Sequence, residues 1–266
     1  MSTELSSHEF GGALQRFVLA LADDELVLGH RDSEWTGHAP ILEEDIAFSN
    51  IAQDEIGHAL VWFTLYEQLA GVSPDSMGFE RSWEKFTCCR FVSYPKGDFA
   101  YTVIRQYLFD VAEIVRLGSL LQSSNHALKE IAAKLSREES YHVLHTRSLV
   151  ERLGDATEES HQRMQSALDV AFPQALGMFE ALNDEEVLIR SGVFPGNRSL
   201  QDRWMSQVVP LLRSASLELP ARVEGDGYTA ACAADIGGRK GRHSDDLKQL
   251  VSAMQLVYQT APDSKW

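Results

Sequence analysis

Two Glu-x-x-His motifs, Glu55-Ile56-Gly57-His58 and Glu139-Ser140-Tyr141-His142, constrain this chain more than any other feature. Residues three apart on a helix stand about 60° apart and one turn along, so each motif aims a carboxylate and an imidazole at one point. Both motifs interrupt apolar stripes of helical spacing. One runs through Phe48, Ile51, Glu55, His58 and Trp62, the other through Leu128, Ile131, Leu135, Glu139, His142 and Leu149. Such stripes face a core, and polar residues on them need a partner of matching charge.

Two further acids break core stripes in the same way. Glu25 lies among Leu14, Phe17, Val18, Leu21 and Leu28, and Asp110 among Val103, Tyr107, Ile114, Leu117 and Leu121. The separations agree: Glu25 to Glu55 is 30 positions and Asp110 to Glu139 is 29, as two similar helix-turn-helix halves require. A bundle that carries two Glu-x-x-His helices and one carboxylate from each remaining helix has the ligand set of a two-metal carboxylate site. Four buried carboxylates cost several kcal/mol each when uncompensated, whereas two divalent cations balance them. The predicted metal ligands are Glu25, Glu55, His58, Asp110, Glu139 and His142. A ligand set of carboxylate and imidazole without thiolate suits iron or manganese, and ligand type does not exclude zinc. The alternative is a hydrogen-bonded polar core without metal. Glu113 is the nearest competitor of Asp110, and Asp24, Asp54 and Glu138 read as solvated groups or as groups that orient the imidazoles.

The rest of the chain reads as all-α, because apolar residues recur at helical spacing almost throughout. Helices are expected over about 8–29, 41–70, 98–122 and 127–153, with a long irregular crossover over 71–97 that contains Pro74, Gly78, Pro95 and Gly97. Short loop, long crossover, short loop is the connectivity of a ferritin-like four-helix bundle. Residues 1–266 are expected to form a single ferritin-like domain, with the core over 8–153 and a C-terminal helical extension over 154–266. The extension is broken near Phe194-Pro195-Gly196, carries a Gly-rich loop over 224–241 and ends in a helix capped by Ser244.

Charge and composition narrow the partners. Asp and Glu number 39 against 24 Lys and Arg, a formal charge of −15, which disfavours nucleic acid. No run approaches the roughly 20 apolar residues of a membrane span, and the first ten residues lack a secretory pattern, so a cytoplasmic protein without a membrane partner is expected. The three cysteines, Cys88, Cys89 and Cys232, suggest ordinary reduced thiols.

Short motifs then add a resemblance. Asp24-Glu25-Leu26, Glu34-Trp35-Thr36-Gly37-His38-Ala39-Pro40, Arg105-Gln106-Tyr107, Glu151-Arg152-Leu153-Gly154 and Gly237-Gly238-Arg239-Lys240-Gly241 resemble the C-type component family of the bacterial phenylacetyl-CoA epoxidases, from about Leu14 to Trp266. The resemblance implies a ferritin-like component of a multicomponent monooxygenase of phenylacetate degradation, in a hetero-oligomer with an A-type catalytic partner. It implies two iron ions, with manganese as an alternative, an acyl-CoA substrate, and electrons from a separate NADPH-dependent flavin and iron–sulfur reductase. On the pattern of the A-type partner, Glu25, Glu55 and His58 would hold one ion and Asp110, Glu139 and His142 the other. Some C-type components have lost these ligands, so three readings stay open here: a metal-free structural scaffold, a catalytic component, or a ferritin-like iron-binding or iron-oxidising protein. Arg239, Lys240 and Arg242 are candidate contacts for the phosphates of the acyl-CoA.

Overall fold

The structure, a computed structural model, describes residues 7–262. In chain order its helices are α1 (Ser7–Ser33), α2 (Leu42–Ala70), α3 (Arg90–Ser93), α4 (Phe99–Leu120), α5 (His126–Gly154), α6 (Glu158–Ala175), α7 (Glu185–Arg190), α8 (Asn197–Ser214) and α9 (Asp245–Thr260). The four long helices expected from periodicity are α1, α2, α4 and α5. Their ends follow local chemistry. Asp98 caps α4 by accepting from the Tyr101 amide at 2.9 Å, Asn125 caps α5 through the Leu128 amide at 3.2 Å, and Gly71 closes α2 in the left-handed region at φ 71°. Ser244 stands at the N-cap of α9, but its hydroxyl donates to the Asp246 carboxylate at 2.8 Å and not to the helix backbone.

The chain divides into two compact units, and each is described by itself. In the unit Lys96–Ile236, α4 is the centre. Nineteen of its 22 residues are buried, because α5, α6 and α8 all pack on it. Trp204 of α8 donates its indole N–H to the Leu108 carbonyl at 2.9 Å and stacks on Phe172 of α6. Of the helices after residue 154, α6 and α8 are therefore part of the core of this unit. Leu121 lies past the end of α4 and is 39 % exposed, so the apolar stripe on α4 ends at Leu117.

The Gly-rich loop expected over 224–241 includes part of an antiparallel hairpin, β1 (Ala221–Glu224) paired with β2 (Gly227–Ala230). Its two-residue loop, Gly225-Asp226, has Gly225 at φ 58°, where a side chain would be strained.

In the other unit, Leu14–Pro95 and the stretch that begins at Gly237, α1 and α2 approach closely. A Cβ added at Gly29 would come within 2.9 Å of Ile56 Cγ1 and 3.0 Å of Glu55 Cβ, so glycine is what lets the two helices meet there. α1 continues to Ser33, beyond Gly29, where a helix end was expected. The crossover holds one π-helical turn, Ser76–Glu80, one 3-10 turn, Trp83–Lys85, and the short α3. Among the described residues no helix is long and apolar enough to cross a membrane.

Candidate metal centre

The α1–α2 half is built around one imidazole. His58 Nδ1 lies 3.9 Å from Glu25 Oε2 and 3.9 Å from Glu55 Oε2, and all three side chains are buried. Each offers a ligand atom within 4.8 Å of the others. Metal–oxygen and metal–nitrogen bonds of about 2.0–2.2 Å place two ligands of one ion roughly 3–4 Å apart, so these separations fit a shared cation. The close approach at Gly29, one turn beyond Glu25, is what brings the two carboxylates face to face.

The α4–α5 half uses the same donor types. His142 Nδ1 lies 3.6 Å from Glu139 Oε1, and Asp110 and His142 offer ligand atoms within 4.8 Å of each other. Asp110 is held at both oxygens: Oδ1 accepts from Gln106 Nε2 at 2.8 Å and Oδ2 from Thr146 Oγ1 at 2.8 Å. Glu113, the competing ligand on α4, is buried and ion-paired with Arg116 one turn on, which leaves Asp110 as the acid of this half. Tyr107 is buried one turn before Asp110, and burial pushes its phenol well up, so it stays neutral.

Four side chains found by the structure were not predicted as supports. Gln106 and Thr146 could have been found from their helical spacing, since Gln106 is four before Asp110 and Thr146 four after His142. The arginines of the α1–α2 half had no such signal. Asp23 pairs with Arg81 and accepts from the Thr87 amide at 2.7 Å. Asp24 accepts from the Cys89 amide at 2.7 Å and from Arg239 Nη1 at 2.9 Å. Asp24 is thus neither solvated nor turned to an imidazole.

The same pairing corrects one expectation about the basic loop. The Arg239 side chain is 4 % exposed and forked onto Asp24, so it is committed inside the protein and does not present itself to a phosphate. Burial lowers its pKa, the Asp24 carboxylate and the Cys89 thiol raise it, and the net shift is upward. Lys240 and Arg242 are exposed. The cysteines are free thiols; burial first, then Asp23 and Asp24, pushes the Cys88 thiol well up, which makes it a poor nucleophile.

Comparison with known proteins identifies the family of the chain. A family model described as phenylacetic acid catabolic protein matches residues 3–266. The C component of the 1,2-phenylacetyl-CoA epoxidase of Escherichia coli K12 is 32 % identical over 254 residues, 95 % of this chain and 99 % of that protein. The A component of the same enzyme is 24 % identical over 204 residues, 75 % of this chain and 66 % of that protein. Among solved structures, a Synechococcus protein with aldehyde deformylating oxidase activity is similar with a TM-score of 0.59 at 15 % identity, covering 80 % of this chain and 93 % of that one. That likeness shows the all-α, ferritin-like fold.

Proposed function

The chain belongs to the phenylacetic acid catabolic protein family, and from that premise we propose that it is the C-type component of a phenylacetyl-CoA epoxidase, with a metal centre of its own. The observation that carries the metal reading is the pair of buried clusters, each with carboxylate and imidazole atoms at separations suited to one cation. Glu25, Glu55 and His58 hold one ion in this reading, and Asp110, Glu139 and His142 the other. Oxygen-rich ligation with one imidazole each favours iron, or manganese in its place. Two irons so bound supply redox chemistry toward O2 that no side chain possesses.

The chain's own residues supply geometry. Gln106 and Thr146 fix the Asp110 carboxylate in one orientation, and Gly29 sets the distance from which Glu25 and Glu55 face each other. Tyr107 and Trp62, one turn along the helix from Asp110 and His58, are buried. Lys240 and Arg242 are the groups offered to the phosphates of an acyl-CoA. Electrons come from a separate NADPH-dependent reductase.

An A-type partner is supported by apolar side chains turned outward on both motif helices. On α2, Leu42 is 72 % and Leu60 55 % exposed; on α5, Tyr141 is 75 % and Leu144 65 % exposed. Exposed apolar residues of this size on helices are suited to an interface with another chain.

The deciding measurement is metal content of protein produced with iron, beside a Glu55→Ala, Glu139→Ala double variant. About two irons per chain in the first and none in the second is the expected result, accompanied by co-purification with an A-type partner. Equal metal in both proteins sinks the assignment. No metal in either, with the partner complex intact, leaves a structural role.

A further inference from the structure

Three consecutive acids on α1, Asp23, Asp24 and Glu25, are all buried. Successive helix positions point about 100° apart, so the three meet different surroundings. Asp23 meets Arg81 and Thr87, Asp24 meets Arg239 and the Cys89 amide, and Glu25 faces His58. Three adjacent buried carboxylates repel one another and compete for any cation that enters. The two arginines cancel Asp23 and Asp24 in place.

Arg239 is the partner that arrives from furthest away, 215 positions along the chain. The loop that delivers it is shaped for the purpose. A Cβ at Gly238 would lie 2.4 Å from the Cys88 carbonyl and 2.8 Å from the Arg90 nitrogen, so only glycine allows the loop to press onto the crossover there. Gly237 and Gly241 turn the chain at φ 127° and 69° on either side. Arg239 also donates to the carbonyls of Ala20 and Thr87, both at 3.1 Å, and so ties α1 and the crossover to the C-terminal loop.

We propose that Arg239 is a positioning residue for the metal half-site on α1 and α2: by pairing with Asp24 it sets the rotation of α1 that aims Glu25 at His58, and it withholds Asp24 from the cation. The inference rests on the metal reading above. Its observable is the affinity for a metal ion, independent of turnover.

The test is Mn(II) binding to the full chain, followed by the EPR signal of the free and bound ion, for the wild type, Arg239→Gln, Arg239→Lys, Glu25→Ala, and Asp24→Asn combined with Arg239→Gln. Arg239→Gln is expected to bind at least about tenfold more weakly and to change the bound-ion spectrum, in the range found for residues that orient ligands. The double variant replaces the ion pair by two amides and leaves no carboxylate to compete, so it recovers most of the affinity. Arg239→Lys keeps the charge, loses the fork and falls between them; it carries the test if Arg239→Gln does not fold. Wild-type affinity and spectrum in Arg239→Gln overturn the proposal while leaving the metal site standing. A loss that the double variant does not recover also overturns it, because that marks general damage to the fold. Wild type that binds no better than Glu25→Ala overturns the metal reading of this half-site and this inference with it.

Discussion

The two Glu-x-x-His motifs stand in surroundings of opposite kind. On α1 and α2 the supports are fixed charges brought from distant segments: Arg81 to Asp23 across 58 positions and Arg239 to Asp24 across 215. On α4 and α5 the proposed ligand Asp110 is aimed by neutral groups close in space on the two helices themselves, the Gln106 amide and the Thr146 hydroxyl. The difference teaches how each half fails. Removing one member of a buried ion pair strands a charge, at about 3–5 kcal/mol, whereas removing one neutral donor to a buried acceptor costs about 1–3 kcal/mol. The acids beside Glu25 in the first half are thus held by few strong charged ties, and Asp110 in the second by local hydrogen bonds, although α4 carries a buried ion pair of its own in Glu113 and Arg116.

The comparison can be sharpened by breaking one tie in each half. Arg81→Ala strands the Asp23 carboxylate and also removes the cation stacked over the Phe86 ring at 4.1 Å. It is expected to lower unfolding stability in urea by about 3–5 kcal/mol. A loss below about 1 kcal/mol, the range of surface pairs, would show that charge is not what holds this half. Thr146→Val, which keeps the shape and removes the Asp110 hydrogen bond, is expected to lower stability by about 1–3 kcal/mol. Should it cost as much as Arg81→Ala, the contrast between the halves disappears.

The smallest effect expected is a pH dependence from two histidines of the charge-held half. Burial, joined by Arg90 and Arg239, holds the His243 pKa below its usual 6.5, although the Phe86 carbonyl accepts from its ring at 2.9 Å. The unfolded chain therefore takes up the proton first as pH falls below about 6.5, and the stability present above that value is lost as pH falls through the lower folded value. His30, also depressed by burial, shifts stability in the same direction. The unfolding midpoint should decline from pH 7 to pH 5, and the decline should be shallower in His243→Gln. An identical slope in the variant would remove His243 from the account.

Much of the site was legible because it is periodic. Glu25, Glu55, His58, Asp110, Glu139 and His142 interrupt apolar stripes, and all six are buried where the stripes placed them. Helical spacing is a local property, so the stripe on α1 from Leu14 to Leu28 and that on α2 from Phe48 to Trp62 needed no knowledge of the rest of the fold. The first helix runs four residues past its expected end at Gly29, where glycine serves the close contact with α2, a use that local spacing does not reveal. The hairpin β1–β2 was missed because strands of four residues carry too little alternation to stand out from a loop.

What the sequence by itself determined is the four long helices, the long crossover between them and the donor chemistry of six inward-facing residues, since these follow from side-chain type and a repeat of 3.6 residues. Tertiary structure alone decided which cation answers Asp23 and Asp24, that Arg239 turns inward while Lys240 and Arg242 stay outside, and that α6 and α8 pack on α4 as α5 does. The physical reason is range. A buried charge must be neutralised, but the sequence does not say by which distant group until the chain has closed its loops and brought one within a hydrogen bond.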